Sequence, residues 1–322
     1  MIEIKKANAR LWSRLGSRAT FGMAVNELAK EKLNFYVMSA DLCSSSGLAQ
    51  FAKNYPNRFI NMGISEQNMV GTAAGFADDG TPVFASSFSP FIAMRAGEQV
   101  RLNMGYMQKN VKTVGLGSGL ILAQLGNSHF GLEDVAVMRS IPNMTVVNPA
   151  DCTEVVKAVE AVEAYEGPVY LRLTGGPGNP VVYSEDYDFK IGKAIRLQEG
   201  RDVAIVASGT MVYQSMKTAE LLAEKNISTT VIDMHTIKPL DMECLDTLLS
   251  HKLIVSVEEH TVVGGLGSAI AEYFCDKINV PRQLMLGIKD FFPKAGSYEY
   301  LLEQCGLTAE KISAQILAKI EL

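Results

Sequence analysis

The sequence predicts an α/β protein of two domains, each a mainly parallel sheet with helices on both faces. Three observations carry that expectation. Short apolar runs alternate with helical patterns along most of the 322 residues, and such alternation builds parallel sheets through crossover helices. The pattern breaks once, in a stretch rich in Gly, Pro and acidic residues, and then resumes. A composition that is 48% hydrophobic and 20% charged over this length supplies core material for two such units.

The elements follow in order. "FYVMSADL", "RFINMGI", "PVFASSF", "VKTVGLG", "MTVVNP" and "PVYLRLT" read as buried strands, because strands covered on both faces are near-continuous apolar runs. Helical patterns lie between several of them, over residues 65–77, 90–105, 132–140 and 151–164. The break is "GGPGNPVVYSEDYDFKIGKAIRLQEG", which has the composition of a linker. A second series follows: "DVAIVASG", a helix to about Glu224, "STTVIDM", "LIVSVEEH", a helix after "GGLGSA", and "QLMLGI". The expected division is a first domain at 1–185, a linker at 186–200 and a second domain at 201–322. No internal repeat or low-complexity tract is evident.

Net charge is −5, without a basic cluster, so nucleic acid and anionic membrane are poor partners. The start, "MIEIKKANARLWSRLGSR", lacks the apolar core of a signal peptide, and no apolar run is long enough to span a bilayer. The five cysteines are scattered and form no C-x-x-C pair. That argues against a metal site or disulfide framework and for a reducing cytoplasm.

One carboxylate stands out. In "NMGISEQNMVGTAAGFA", Ser65 reads as an N-cap and Glu66 as a first-turn acid, followed by a helix of Gly, Ala, Met and Val. Gly71, Ala73, Ala74 and Gly75 give it a smooth face for close packing. On composition alone Glu66 offsets the positive helix end, worth roughly 0.3–1 kcal/mol. A functional role needs a partner that requires a carboxyl in a dry place. On the residues alone Phe88 and Phe91, beside Pro90, read as core, Asp41 as a turn residue at a strand end, and His129 as a loop histidine before a helix.

Three longer stretches decide between these readings. "GISEQNMVGTAAGFA", then "PVFASSFSPFIAMRAGEQVR", then "SHFGLEDVAVMRSIPNMTVVNPADCTE" together resemble the C-terminal half of a transketolase. "SRATFGMAVNEL…VMSADL" resembles the start of its pyrimidine-binding domain. "DVAIVASGTMVYQSMKTAELLAEKNISTTVIDMHTIKPLD" and "SVEEHTVVGGLGSAIAEYF" resemble its C-terminal domain. The similarity spans nearly the whole chain and is closest to the split form of the enzyme, in which one chain carries these two domains. It implies thiamine diphosphate as cofactor, Glu66 on the N1′ atom of the aminopyrimidine, Phe88 and Phe91 as its wall, and Asp41 in the cofactor site at the subunit interface. It further implies His129 at the oxygen of the reacting carbon, with Arg18 in "SRATFG" and Ser45 in "ADLCSSS" on the phosphate side of the sugar. Met94 stands where full-length transketolases carry a third aromatic, a gap that methionine can fill.

The resemblance also has gaps. Gly117, Leu125 and Gly175 occupy places where a histidine, an acid and an arginine grip the sugar in most transketolases. An altered sugar specificity is therefore expected. "DDG" at Asp78–Gly80 reads as a turn and has no matching downstream segment. The resemblance thus implies an N-terminal transketolase-like partner subunit that holds the diphosphate and Mg2+ or Ca2+, within an α2β2 assembly acting on small sugars. The β subunit of a 2-oxoacid dehydrogenase-type enzyme and a catalytically inactive regulatory paralogue are the alternatives.

Overall fold

A computed structural model describes residues 2–320 of the chain. Six strands of the first half are β1 (Tyr36–Ser39), β2 (Phe59–Asn61), β3 (Val83–Phe88), β4 (Val111–Leu116), β5 (Thr145–Val147) and β6 (Val169–Arg172). The second half holds β7 (Ile195–Gln198), β8 (Val203–Ala207), β9 (Thr229–Asp233), β10 (Thr236–Lys238), β11 (Leu253–Thr261) and β12 (Arg282–Ile288). They form a seven-stranded sheet, ordered β10-β5-β6-β4-β3-β1-β2, and a five-stranded sheet, ordered β12-β11-β8-β9-β7. All pairings are parallel except at one end of each sheet, where β10 and β7 run antiparallel to their neighbours. The two-sheet α/β architecture is the one the alternating pattern predicts.

Burial explains the strands. Every residue of β3 but Phe88, and all of β4, β6 and β8, is buried. Helices cover both faces, as crossover connections require. Cys152–Ala164 packs on one side with Ser17–Glu31, and Asp151 caps it by accepting from the Glu154 N–H at 2.8 Å. Glycine allows one close approach that positions the site: a Cβ on Gly22 would lie 2.2 Å from the backbone of Gly47, so the turn after β1 lies directly on the helix Ser17–Glu31.

Two findings differ from the sequence reading. The span expected as linker, 186–200, contains β7, an edge strand of the second sheet. Strand β10 leaves the second half and pairs with β5, Thr236 opposite Val147 and Lys238 opposite Val146, so it closes the edge of the first sheet. Among the described residues no helix is long and apolar enough to cross a membrane.

Candidate active site

The carboxyl ends of β1, β3, β4 and β6 lie side by side along one edge of the first sheet, the edge where ligands bind in such folds. Asp41 follows β1, Phe88 ends β3, Gly117 follows β4 and Gly175 follows β6.

Glu66 opens the helix Glu66–Phe76 and is 2% exposed. Ser65 does not cap that helix; its hydroxyl donates instead to the Met62 carbonyl at 2.7 Å. The acid is held from its other end. Oε1 accepts from Ser87 Oγ at 3.1 Å, and Oε2 accepts from Arg95 Nη1 at 2.9 Å. Met69, Val70, Ala73 and Ala74 face the core, while Gly71 and Gly75 leave a bare exposed face.

Three rings stand in the same region. Phe88 and Phe91 meet edge to face with centroids 6.0 Å apart, and His129 lies 5.5 Å from Phe88 and 5.4 Å from Phe91, again edge to face. All three are half-buried. Such edge-to-face geometry suits aromatic pairs. The fold thus brings His129 onto two phenylalanines that are distant from it in sequence.

The segment that follows Phe88 departs from a regular helix. Phe91–Arg95 and Val100–Tyr106 are wider π-type turns, and the Ala96 N–H donates to the Phe91 carbonyl five residues back at 3.0 Å. π-turns re-aim side chains and often mark functional sites. Met94 is 60% exposed, and Arg95 lies over the Phe91 ring, 4.1 Å from its centroid.

His129 rides on a loop closed at its base by reciprocal hydrogen bonds between Gly119 and Gly131, at 2.9 and 3.2 Å. Its Nδ1 lies 3.0 Å from Ser128 Oγ. The loop is braced from the second sheet. Glu259, near the end of β11, accepts from the Leu120 N–H at 2.6 Å and from the hydroxyls of Thr210 and Tyr298 at 2.5 and 2.7 Å. Asn127 donates to the Pro293 carbonyl at 2.9 Å. Beneath the loop a buried network joins the two halves. Arg172 Nε donates to Asp134 Oδ2, and Arg172 Nη2 donates to the carbonyls of Gly131 and Glu259, all at 2.9 Å. Burial pushes the Asp134 carboxyl up, but the Arg172 guanidinium overrules it and holds it below the usual range. Burial lowers His260 to about 4. Its neutral ring accepts at Nε2 from the N–H groups of Val135 and Ala136, at 3.2 and 3.3 Å. His235, His251 and His260 are all buried in the fold.

Asp41 adopts a left-handed backbone, φ 57°, and exchanges two hydrogen bonds with the Asn61 amide at 3.0 and 3.1 Å. Asn61 also accepts from the Gly63 N–H at 3.0 Å, which ties Asp41 to the approach to Glu66. Arg18, half-buried at the start of Ser17–Glu31, has no ion-pair or hydrogen-bond partner for its side chain among the described residues, and burial lowers its pKa. Exposed Ser45 sits in the turn that packs on that helix, and Ser17 Oγ donates to the Gly175 carbonyl at 2.6 Å, which brings the strand end at Gly175 to the start of the same helix. Leu125 is 53% exposed on the His129 loop. Asp78–Gly80 lie in the turn before β3, where Asp78 pairs with Lys109 and Asp79 accepts from the Thr81 N–H at 3.0 Å.

Sequence reasoning missed Arg95, Ser87 and Glu259. Two of them left a trace: Arg95 is a cation four residues after Phe91, and Glu259 is one of two acids in the otherwise apolar "LIVSVEEHT". Chemically, the edge offers a buried carboxylate with lone pairs to spare beside a cluster of half-buried rings. That donor set fits a flat heteroaromatic ring with a nitrogen directed at Glu66. Among the described residues no three His, Cys, Asp or Glu side chains form a metal ligand set.

Comparison with known proteins supplies the family. A family model described as "Transketolase, pyrimidine binding domain" matches residues 14–176, and one described as "Transketolase, C-terminal domain" matches residues 192–312. A 6-deoxy-6-sulfo-D-fructose transketolase subunit of a Clostridium species (strain MSTE9) is 38% identical, over 92% of this chain and 91% of its own. One of the apulose-4-phosphate transketolase subunits of Phocaeicola vulgatus is 35% identical, over 92% and 95%. A solved structure described as "Split gene transketolase, inactive beta4 tetramer" superposes with a TM-score of 0.88 at 39% identity, over 96% of this chain and 99% of its own. The chain belongs to the transketolase family, whose pyrimidine-binding and C-terminal domains it carries in that order.

Proposed function

We propose that this chain is the pyrimidine-binding subunit of a two-chain, thiamine diphosphate-dependent transketolase that passes a two-carbon ketol unit from a ketose to an aldehyde acceptor. The observation that carries the reading is the combination of buried Glu66 with the clustered rings of Phe88, Phe91 and His129. When bound, thiamine diphosphate supplies a carbon nucleophile able to take up and release the ketol unit. Glu66 then shares a proton with the pyrimidine N1′ atom, and Phe88 and Phe91 wall the ring. His129 donates to charge developing on the substrate oxygen. Asp41, held by Asn61, shapes the interface side of the site. Arg18, with no partner of its own among the described residues, and Ser45 serve the anionic end of the sugar.

The diphosphate and its Mg2+ or Ca2+ fall to a partner subunit. Two observations support this: "DDG" at Asp78–Gly80 lies in a turn and has no matching downstream segment, and the bare Gly71–Gly75 face is open for a second chain. Two of the relatives are themselves named as subunits, and the split-gene relative is described as an inactive β4 tetramer. The two named subunits belong to enzymes of a sulfonated sugar and of apulose 4-phosphate. With Gly117, Leu125 and Gly175 in the sugar-gripping positions, we place this chain's substrate among sugars with a modified tail.

The test is reconstitution. The chain alone, titrated calorimetrically with thiamine diphosphate and magnesium, is expected to show no micromolar binding. With an N-terminal transketolase-type subunit it should bind the cofactor and turn over one of a panel of ketose donors. Tight binding by the chain alone sinks the split site, and ordinary efficiency with unmodified xylulose 5-phosphate sinks the altered tail. In the same complex His129→Ala should cut turnover by about 10²–10³-fold, the usual worth of one donor to developing charge. Cofactor affinity should stay within a few-fold, and parallel loss of both would make His129 structural.

A further inference from the structure

The Glu66–Arg95 pair is lopsided. Glu66 is 2% exposed and Arg95 46% exposed, with Nη1 and Oε2 2.9 Å apart. The burial penalty therefore falls almost wholly on the carboxylate, and Arg95 offsets it from the solvent side. The guanidinium also covers the Phe91 ring at 4.1 Å. Ser87 holds the other oxygen of Glu66, and Ser87 immediately precedes Phe88 on β3. Two tethers on two different oxygens fix the plane of a carboxylate, and the planar fork of arginine fixes it more firmly than an ammonium would. A single side chain on a re-aimed π-turn thus sets both the acid and one of the rings.

We propose that Arg95 is a positioning residue. It keeps the Glu66 carboxylate aimed with its free lone pairs toward the ring wall, and it keeps the Phe91 face in register with that acid. This rests on the proposed cofactor role of Glu66, because the aim of the acid matters only if a ring nitrogen meets it.

Two experiments test it. The first needs no cofactor: thermal unfolding of the full chain as wild type, Arg95→Met, Glu66→Gln and the double variant. Arg95→Met should lower the midpoint by several degrees, since it strands a buried charge, and Glu66→Gln on top of it should recover most of the loss. Additive effects would show that the residues are uncoupled and would overturn the proposal. The second uses the assembled enzyme with thiamine diphosphate. Arg95→Met should slow proton exchange at the cofactor's C2, followed by NMR without sugar, by about 10–100-fold, the cost typical of losing a group that orients another. Cofactor affinity should stay within a few-fold, kcat should fall without a matching rise in the donor KM, and Arg95→Lys should recover part of the exchange rate. An unchanged exchange rate alongside a lowered midpoint makes Arg95 merely structural and overturns the proposal, as does a loss of affinity that tracks the loss of exchange. If wild-type exchange is instead indifferent to Glu66→Gln, the reading of Glu66 has failed, and the positioning role fails with it even if the thermal coupling is present.

Discussion

Glu66→Gln in the assembled enzyme is expected to abolish most ketol transfer, by about 10²–10⁴-fold, the range spanned by a well-placed general acid or base. The amide keeps the shape of the side chain and can still accept at its carbonyl oxygen, from Ser87 or from Arg95. It cannot take or give up a proton at a ring nitrogen. The variant should therefore fold, and the chain should lose only the charged part of its bond to Arg95, about 1.5–3 kcal/mol for a charged hydrogen bond, reduced because Arg95 is open to solvent. The decisive measurement is exchange of the cofactor's C2 proton without substrate. A rate equal to wild type would make Glu66 no more than a helix-end acid.

The largest effect on stability is expected at Arg172→Met. Arg172 is buried in the network between the two sheets, bonded to Asp134 and to the carbonyls of Gly131 and Glu259. Methionine removes the charge and all three bonds and leaves Asp134 with the Tyr170 hydroxyl, at 2.6 Å, as its remaining strong partner among the described residues. Breaking one side of a buried pair costs about 3–5 kcal/mol. Denaturant unfolding should show a loss of that size, and adding Asp134→Asn should return part of it, because the stranded charge is then gone. A loss below about 1 kcal/mol would mean that water or rearrangement replaces the network. The consequence reaches the site, since Gly131 closes the loop that carries His129.

How far the sequence alone reaches depends on how each element is buried. Strands such as "VFASSF" and "VAIVA" are covered on both faces, so hydrophobicity announces them. β7, "IRLQ", and β10, "TIK", are edge strands with polar residues and lack that signal. The helices Lys6–Leu15 and Ser17–Glu31 are masked in another way, because a basic opening stretch reads first as a question of targeting. At the site, Glu66 is conspicuous because an acid in a helix of small residues needs a reason. Phe88, Phe91 and His129 are ordinary residues until order and spacing tie them together. Arg95 is hidden by the π-turns: a regular 3.6-residue period does not say that Met94 turns out and Arg95 turns onto Phe91. Glu259 is hidden by distance, because it acts on Leu120, which is 139 residues away.

Strand β10 has a bearing on how such a chain can be cut and recombined. The break in sequence between the two series invites scission there, yet the first sheet is discontinuous along the chain and takes its last strand from Thr236–Lys238. A fragment ending ahead of β7 would keep β5 but lose its cover, and the backbone groups of Val146 and Val147 would stand as an unguarded edge. Such an edge recruits strands from other copies. A chimera that exchanges the second half for that of a relative must therefore carry over the residues facing β5, or it will expose the same seam. The two halves are modules in composition but not in topology.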